Sequence, residues 1–175
     1  MLVIRESGDP VLRTIAKEIP PEMFGSPELT QILRDMEETL GNEPDGVALA
    51  APQVGISLRI FIVRYDRMRD PGEVTPGGEP DIGIFINPKF LKSSRKRSEM
   101  QEGCLSVRGV YGATMRHERA TVRAQNEQGE WFTRGAGGIL AQAYQHETDH
   151  LDGILFIDHA EELHEQGPEI SHGAE

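Results

Sequence analysis

His146-Glu147-Thr148-Asp149-His150 is the segment of this chain best suited to chemistry. Residues i and i+4 of an α-helix share a face, so the imidazoles of His146 and His150 can reach one metal ion together. Glu147 stands near enough to move a proton on a water that the ion activates. With six His and twenty Glu among 175 residues, about 0.02 such patterns are expected by chance. Two histidines do not complete a catalytic site, which takes three protein ligands and leaves a fourth position open. Downstream, His159, Glu161, Glu162 and His164 are available, although exposed polar residues near a C-terminus are the simpler account of them. The Gly-x-x-His spacing of metzincin proteases is absent. Upstream, Cys104 lies in Glu102-Gly103-Cys104-Leu105-Ser106-Val107. A lone cysteine is more often a buried hydrophobe or an incidental surface thiol. One that follows glycine and lacks a CxxC partner nevertheless fits a ligand better than a redox centre, because thiolate suits soft and borderline divalent ions.

These residues need a scaffold. Ile139 to Leu151 reads as a helix stopped near Gly153. An earlier helix starts at Ser26-Pro27, where Ser26 caps and Pro27 suits the first position. Leu29, Ile32, Leu33, Met36 and Leu40 then give it one apolar face, and Gly41-Asn42 ends it. Arg59–Val63 and Ile82–Leu91 look like strands, with Asn87-Pro88 breaking the second one's ladder. Ala120–Arg134 alternates about Asn126-Glu127-Gln128-Gly129, a hairpin with a polar turn. Residues 66 to 81 read as a surface loop. From Glu161 the tail is acidic, and beyond about residue 165 it is expected to fray. No repeat or linker divides the chain, so residues 1–175 are expected to form a single α+β domain. A mostly antiparallel sheet should pack around a central helix that carries the HExxH motif.

Composition narrows the class. Hydrophobic residues at 37% and charged residues at 27% are those of a soluble globular protein. The net charge of −11 argues against DNA, RNA or an anionic membrane as main partner. The basic run Lys92-Ser93-Ser94-Arg95-Lys96-Arg97 is read as solvated surface, with ribosomal RNA as the one contact it would suit. A single cysteine excludes an internal disulfide and suits a reducing compartment. The first residues lack the marks of a signal or transit peptide, and no apolar run reaches membrane-spanning length, so a cytoplasmic location is expected.

Three segments, taken in order, resemble the peptide deformylase family: Gly46-Val47-Ala48-Leu49-Ala50-Ala51-Pro52-Gln53, Glu102-Gly103-Cys104-Leu105-Ser106, and Gln145-His146-Glu147-Thr148-Asp149-His150-Leu151. The resemblance runs from about Asp9 to Asp158. It implies hydrolysis of the N-formyl group from the formylmethionine of newly made polypeptides, releasing formate. It also implies one divalent ion on Cys104, His146 and His150: Fe2+ natively, with Zn2+, Ni2+ or Co2+ as substitutes. Gln53 and the backbone amide of Leu105 would stabilise the oxyanion, and Glu147 would carry the proton from water to the leaving amine. A thiolate gives the ion more charge than a third imidazole would, so Gln53 and Leu105 should matter more. Gly46, Val47, Ala48, Ile139 and Ala143 would receive the substrate, its methionine side chain lying beside Val47, Ile139, Ala143 and His146 and its backbone pairing near Val47 as an added strand. Glu102 and Arg116 match a pair that braces the cysteine loop. Formylmethionyl nascent chains are the implied partner, with the ribosome near the exit tunnel a further candidate. Two departures stand out: Ala48 where the family has Gly, whose methyl is expected to narrow the formyl site or restrict the backbone, and Arg108 where Pro is frequent. The competing readings are an HExxH metallopeptidase with a downstream third ligand, and a non-catalytic peptide-binding relative.

Overall fold

The computed structural model describes residues 2–69 and 78–165 of the 175. Helix α1 spans Pro27–Gly41, and Ser26 Oγ accepts from the Leu29 amide at 3.1 Å. That bond satisfies one of the orphan donors of the first turn. The strands follow as β1 (Ala48–Ala50), β2 (Ile60–Arg64), β3 (Ile82–Ser93), β4 (Arg97–Cys104), β5 (Val107–His117), β6 (Arg119–Gln125) and β7 (Trp131–Gly137); helix α2 (Gly138–Leu151) and β8 (Glu161–Glu165) complete the order. Five strands form an antiparallel sheet in the order β1-β2-β3-β6-β7, and β4-β5-β8 form a second.

The first sheet is covered on both faces. Because strand side chains alternate with period two, β2 sends Ile60 and Ile62 towards Leu29, Leu33, Met36 and Leu40 of α1. Its Phe61 and Val63 go into the other layer with Phe85, Val122, Tyr144 and Leu151. The rings of Phe61 and Phe85 stack at 4.7 Å, and Tyr144 of α2 lies 5.0 Å from Phe85. Helix α2 thus rests on β1, β2, β6 and β7 and also touches β5, which is the central helix within antiparallel sheets expected from the sequence. A third apolar cluster, Leu12, Val107, Leu155 and Phe156, packs near the start of β5.

Where sequence and structure differ, polarity is the reason. The break at Asn87-Pro88 is a bulge, after which β3 continues to Ser93. Asn87 adopts φ +50°, accepts from the Ile19 amide at 2.8 Å and donates to Ile19 O and Gln125 Oε1. Strand β4 exposes Arg97, Glu99 and Gln101, and β5 exposes Arg108, Gly109, Tyr111 and Met115, so neither announces itself by an apolar run, and β8 is exposed at all five residues. Of the loop expected over 66–81, Tyr65–Met68 form a helical turn and residues 70–77 lie outside the described residues. The tail expected to fray lies outside them too, from residue 166 on. Gly153, the expected stop, has φ +73°, and a Cβ there would come within 2.8 Å of the Arg13 backbone. Among the described residues, no helix is long and apolar enough to cross a membrane.

Candidate active site

Helix α2 buries His146 and His150 on one face, with their Nε2 atoms 3.2 Å apart. Cys104, the last residue of β4, brings Sγ to 3.3 Å from His150 Nε2, and the three donor atoms all lie within 4.8 Å of one another. A tetrahedral cation with ordinary zinc-type bonds would set two nitrogens about 3.3 Å apart, and sulfur and nitrogen about 3.6 Å apart. The donor set therefore fits a divalent ion. A hydrogen bond could join His150 Nε2 to only one of its two neighbours, whereas a cation meets all three lone pairs. Among the described residues this is the one cluster of its kind. The downstream candidates lie elsewhere: His159 faces Asp149 at 3.5 Å, His164 stacks on Tyr111, and Glu161 and Glu162 are exposed on β8.

A buried polar frame fixes these donors. Glu102, on β4, accepts from His146 Nδ1 at 2.9 Å, from Arg116 Nε at 2.5 Å and Nη2 at 3.0 Å, and from Thr114 Oγ1 at 2.6 Å. Arg116, on β5, also donates from Nη1 to Asp149 Oδ2 at 2.7 Å. Burial alone would raise the Glu102 carboxyl, but the bonds from His146 and Arg116 hold it well below the ordinary carboxylate range. The proton on His146 Nδ1 leaves Nε2 as the free lone pair. Burial opposes charge on His146, yet its bonds to Cys104 and Glu102 prevail and raise its pKa. A cation binding there therefore displaces a proton. His150 is held well below the usual imidazole range by burial and by neighbouring His146, so it stays neutral.

The remaining groups converge on the same place. Gln53 sits in the helical turn Ala51–Val54, where its Oε1 accepts from the Ala50 amide at 2.8 Å. That bond turns the Gln53 NH2 towards Cys104 Sγ at 3.4 Å and Ser106 Oγ at 3.3 Å. Ser106, fully buried, adds its backbone N–H to the sulfur at 3.4 Å. Glu147 is buried with Oε2 unpartnered, and burial pushes its carboxyl up to about 7. A cleft of about 620 Å³ is lined by Gly46, Val47, Ala48, Gln53, Cys104, Leu105, Ile139, Ala143, His146 and Glu147, with Glu102, Gln142 and Arg108 also in its wall. His150 is buried and is not among its lining residues. Volumes of this size are typical of small-molecule and short-peptide sites.

Several contributors carried no usable signal in the sequence. Arg67, from the presumed loop, donates to the carbonyls of Leu40, Gly41, Glu43 and Gly46 and fastens the approach to β1. Thr114 acts through partners distant in sequence, and no local pattern marks it; Ser106 and Asp149 lie inside the family motifs, but their bonds to Gln53 and Arg116 span 53 and 33 residues. Arg108 makes a two-pronged bond to Glu43 at 2.8 and 3.1 Å. Ala48 is not among the residues with positive φ, and its methyl packs with Phe61 and Val63. Its backbone therefore lies outside the left-handed region that favours Gly.

A dry carboxylate beside three convergent soft donors is the equipment of a metal-dependent hydrolase, and here an α+β scaffold holds it. The polypeptide deformylase family model matches residues 1–166. A peptide deformylase of Dehalococcoides mccartyi is 41% identical over 169 residues, covering 95% of this chain and 92% of that protein. Peptide deformylase 2 of Clostridium acetobutylicum is 43% identical over 155 residues, covering 89% and 92%. Among solved structures, the Thermotoga maritima peptide deformylase aligns with a TM-score of 0.77 at 37% identity, covering 92% of this chain and 98% of that one. One from Synechococcus elongatus, in complex with actinonin, aligns at 0.80 and 35%, covering 92% and 81%. The chain belongs to the polypeptide deformylase family, metal-dependent enzymes that remove the N-formyl group from nascent polypeptides.

Proposed function

We propose that this chain hydrolyses the formyl amide of formylmethionyl peptides, using Cys104, His146 and His150 to hold one divalent ion, Fe2+ in the cell. The observation that carries the reading is the convergence of three donor atoms, all within 4.8 Å of one another, beside a cleft lined by the Glu147 carboxylate and the Gln53 amide. When bound, the ion acidifies water and polarises the formyl oxygen, so hydroxide is available near neutral pH. Glu147 takes the proton from that water as oxygen adds to the formyl carbon. The Gln53 NH2 and the Leu105 N–H receive the negative charge that builds on the formyl oxygen. Glu147 then gives its proton to the amine nitrogen as the C–N bond breaks, leaving formate and a peptide with a free N-terminus.

The substrate backbone lies extended between two edge strands. Val47 O accepts from the Arg64 amide at 2.8 Å, so the peptide groups of the next residue, Ala48, point away from β2 into the cleft. β4 is the edge of the other sheet and presents Gln101 to Cys104 opposite. The methionine side chain fits against Val47, Ile139 and Ala143. An HExxH peptidase would need His159, His164 or a β8 glutamate as third ligand, and none approaches the two histidines. The chain works in the cytoplasm on nascent peptides, with the ribosome a docking partner, as a single domain. Metal-loaded protein assayed on formyl-Met-Ala-Ser and on unformylated peptides tests the activity. Formate release from the first alone supports it, and cleavage of internal bonds in either sinks it. Metal analysis of protein purified without oxygen tests the choice of iron.

A further inference from the structure

The side chain of Gln142 occupies part of the edge along which a peptide would pair. Gln142 lies one helical turn before His146 on α2, and its Nε2 donates to the backbone oxygen of Gln101 at 2.8 Å. Only the NH2 end of the side chain can donate to a carbonyl, so its orientation is fixed. Gln101 is on β4, whose other edge is bonded to β5. Carbonyls along a strand alternate in direction, so Gln101 O points outward, away from β5, and Gly103, two residues on, presents its peptide groups to the same side. Gly103 has no room for a side chain, because a Cβ there would come within 2.6 Å of the Tyr111 ring. The outward edge of β4 therefore offers one open position at Gly103 and, about 7 Å further from Cys104, one that Gln142 has already taken.

We propose that Gln142 is a specificity-determining residue that ends substrate pairing along β4. This rests on reading the cleft as the peptide site. A peptide with its formyl end at Cys104 runs back along β4 past Gly103 and Gln101. Its third residue can use Gly103, but its fourth and fifth find the Gln101 carbonyl occupied. The enzyme then reads a short N-terminal segment and is indifferent to the backbone beyond it, which suits a substrate set whose members share only their first residue.

The test is a length series: formyl-Met-Ala-Ser extended by one, two and three alanines, on metal-loaded wild type, Gln142→Ala and Gln142→Leu. Leu keeps helix propensity and volume, so a folding defect in the Ala variant does not decide the matter. In parallel, dissociation constants are measured for the corresponding unformylated peptides, which needs no turnover. We expect wild-type kcat/KM and affinity to change less than about twofold beyond the third residue. Both variants should gain about 2- to 10-fold from the added residues, the worth of one net backbone hydrogen bond. Parallel length profiles in all three proteins, whatever their absolute rates, would show that Gln142 merely fastens α2 to β4 and would overturn the proposal. A wild type that already gains strongly from the fourth and fifth residues overturns it as well. Absence of formate release from every peptide would instead count against the deformylase reading, and the dissociation constants would still decide on Gln142.

Discussion

Replacing Glu102 by Gln removes one charge from a frame of four bonds and should damage metal binding and stability by separate routes. Glu102 and Arg116 are only 5% and 6% exposed. A Gln can keep an oxygen towards Arg116 and Thr114, but its NH2 then faces His146 Nδ1, where the carboxylate now accepts at 2.9 Å. Two donors cannot share that contact, so His146 moves its proton to Nε2, the atom aimed at Cys104 and His150. The lone pair needed by the ion is lost. Supporting bonds of this kind are worth about 10- to 100-fold in metal affinity, and that is the loss expected in competition with a chromophoric chelator. Stability falls as well, because Arg116 keeps Asp149 but its closer partner no longer carries the opposite charge. Breaking a buried pair costs about 3–5 kcal/mol, and the surviving Asp149 bond places the expected loss near the lower end, about 3 kcal/mol. Denaturant unfolding of metal-free protein isolates this from the stabilisation a bound ion confers. The pH dependence carries a sign. Since the bonds from His146 and Arg116 hold Glu102 below the ordinary carboxylate value of 4.5, it contributes stability that is present above pH 4.5 and lost as pH falls, when the unfolded chain takes up a proton that the folded chain refuses. Glu102→Gln should therefore be less acid-sensitive than wild type relative to its own maximum. A variant that binds metal within twofold of wild type would refute the tautomer argument, even if it were unstable.

Three further outcomes are expected. Glu147→Gln should retain its metal by elemental analysis while turnover falls at least about 100-fold, since Glu147 moves protons and does not coordinate. Metal loss in that variant would mean the role is misassigned. In metal-free protein the Glu147 carboxyl should titrate at about 7 by carbon NMR, because of its burial. It then contributes stability present below pH 4.5 and lost as pH rises through about 7, and loading a dication should move the midpoint down. Ala48→Gly should lower stability by about 1 kcal/mol and leave kcat/KM no higher than in wild type, since the methyl is buried against Phe61 and Val63 in backbone outside the left-handed region. A several-fold rise in kcat/KM would restore the view that Ala48 crowds the formyl site.

The parts legible in the sequence were those written in local spacing. The i, i+4 histidines, the Ser26-Pro27 helix start, the polar turn at Asn126–Gly129 and the glycine beyond α2 each encode geometry within a few residues. Strands β4 and β5 escaped because Arg97, Glu99, Gln101 and Met115 face solvent and dilute the alternation. They are half of the site nonetheless, since β4 carries Cys104 and Glu102 and β5 carries Arg116. Arg67 and Thr114 escaped for a different reason: each acts across the fold, and a single sequence holds no record of which distant residue it meets.

Burying so many charged groups beside α2 is a poor route to stability, since hydrophobic residues of equal volume would serve that end as well or better. The frame makes sense once it is followed from end to end. Asp149 and Glu102 hold Arg116, Arg116 and Thr114 hold Glu102, and Glu102 holds the tautomer of His146. The two end bonds of that line, Asp149 to Arg116 and Glu102 to His146, pass between α2 and the β4–β5 sheet, so the contacts that orient the imidazole also set the distance from Cys104 to the two histidines. A donor set drawn from a helix and a strand can be no more accurate than the contact between those elements. Here that contact is made by directional bonds to ionised groups, which resist sliding in a way that apolar packing does not.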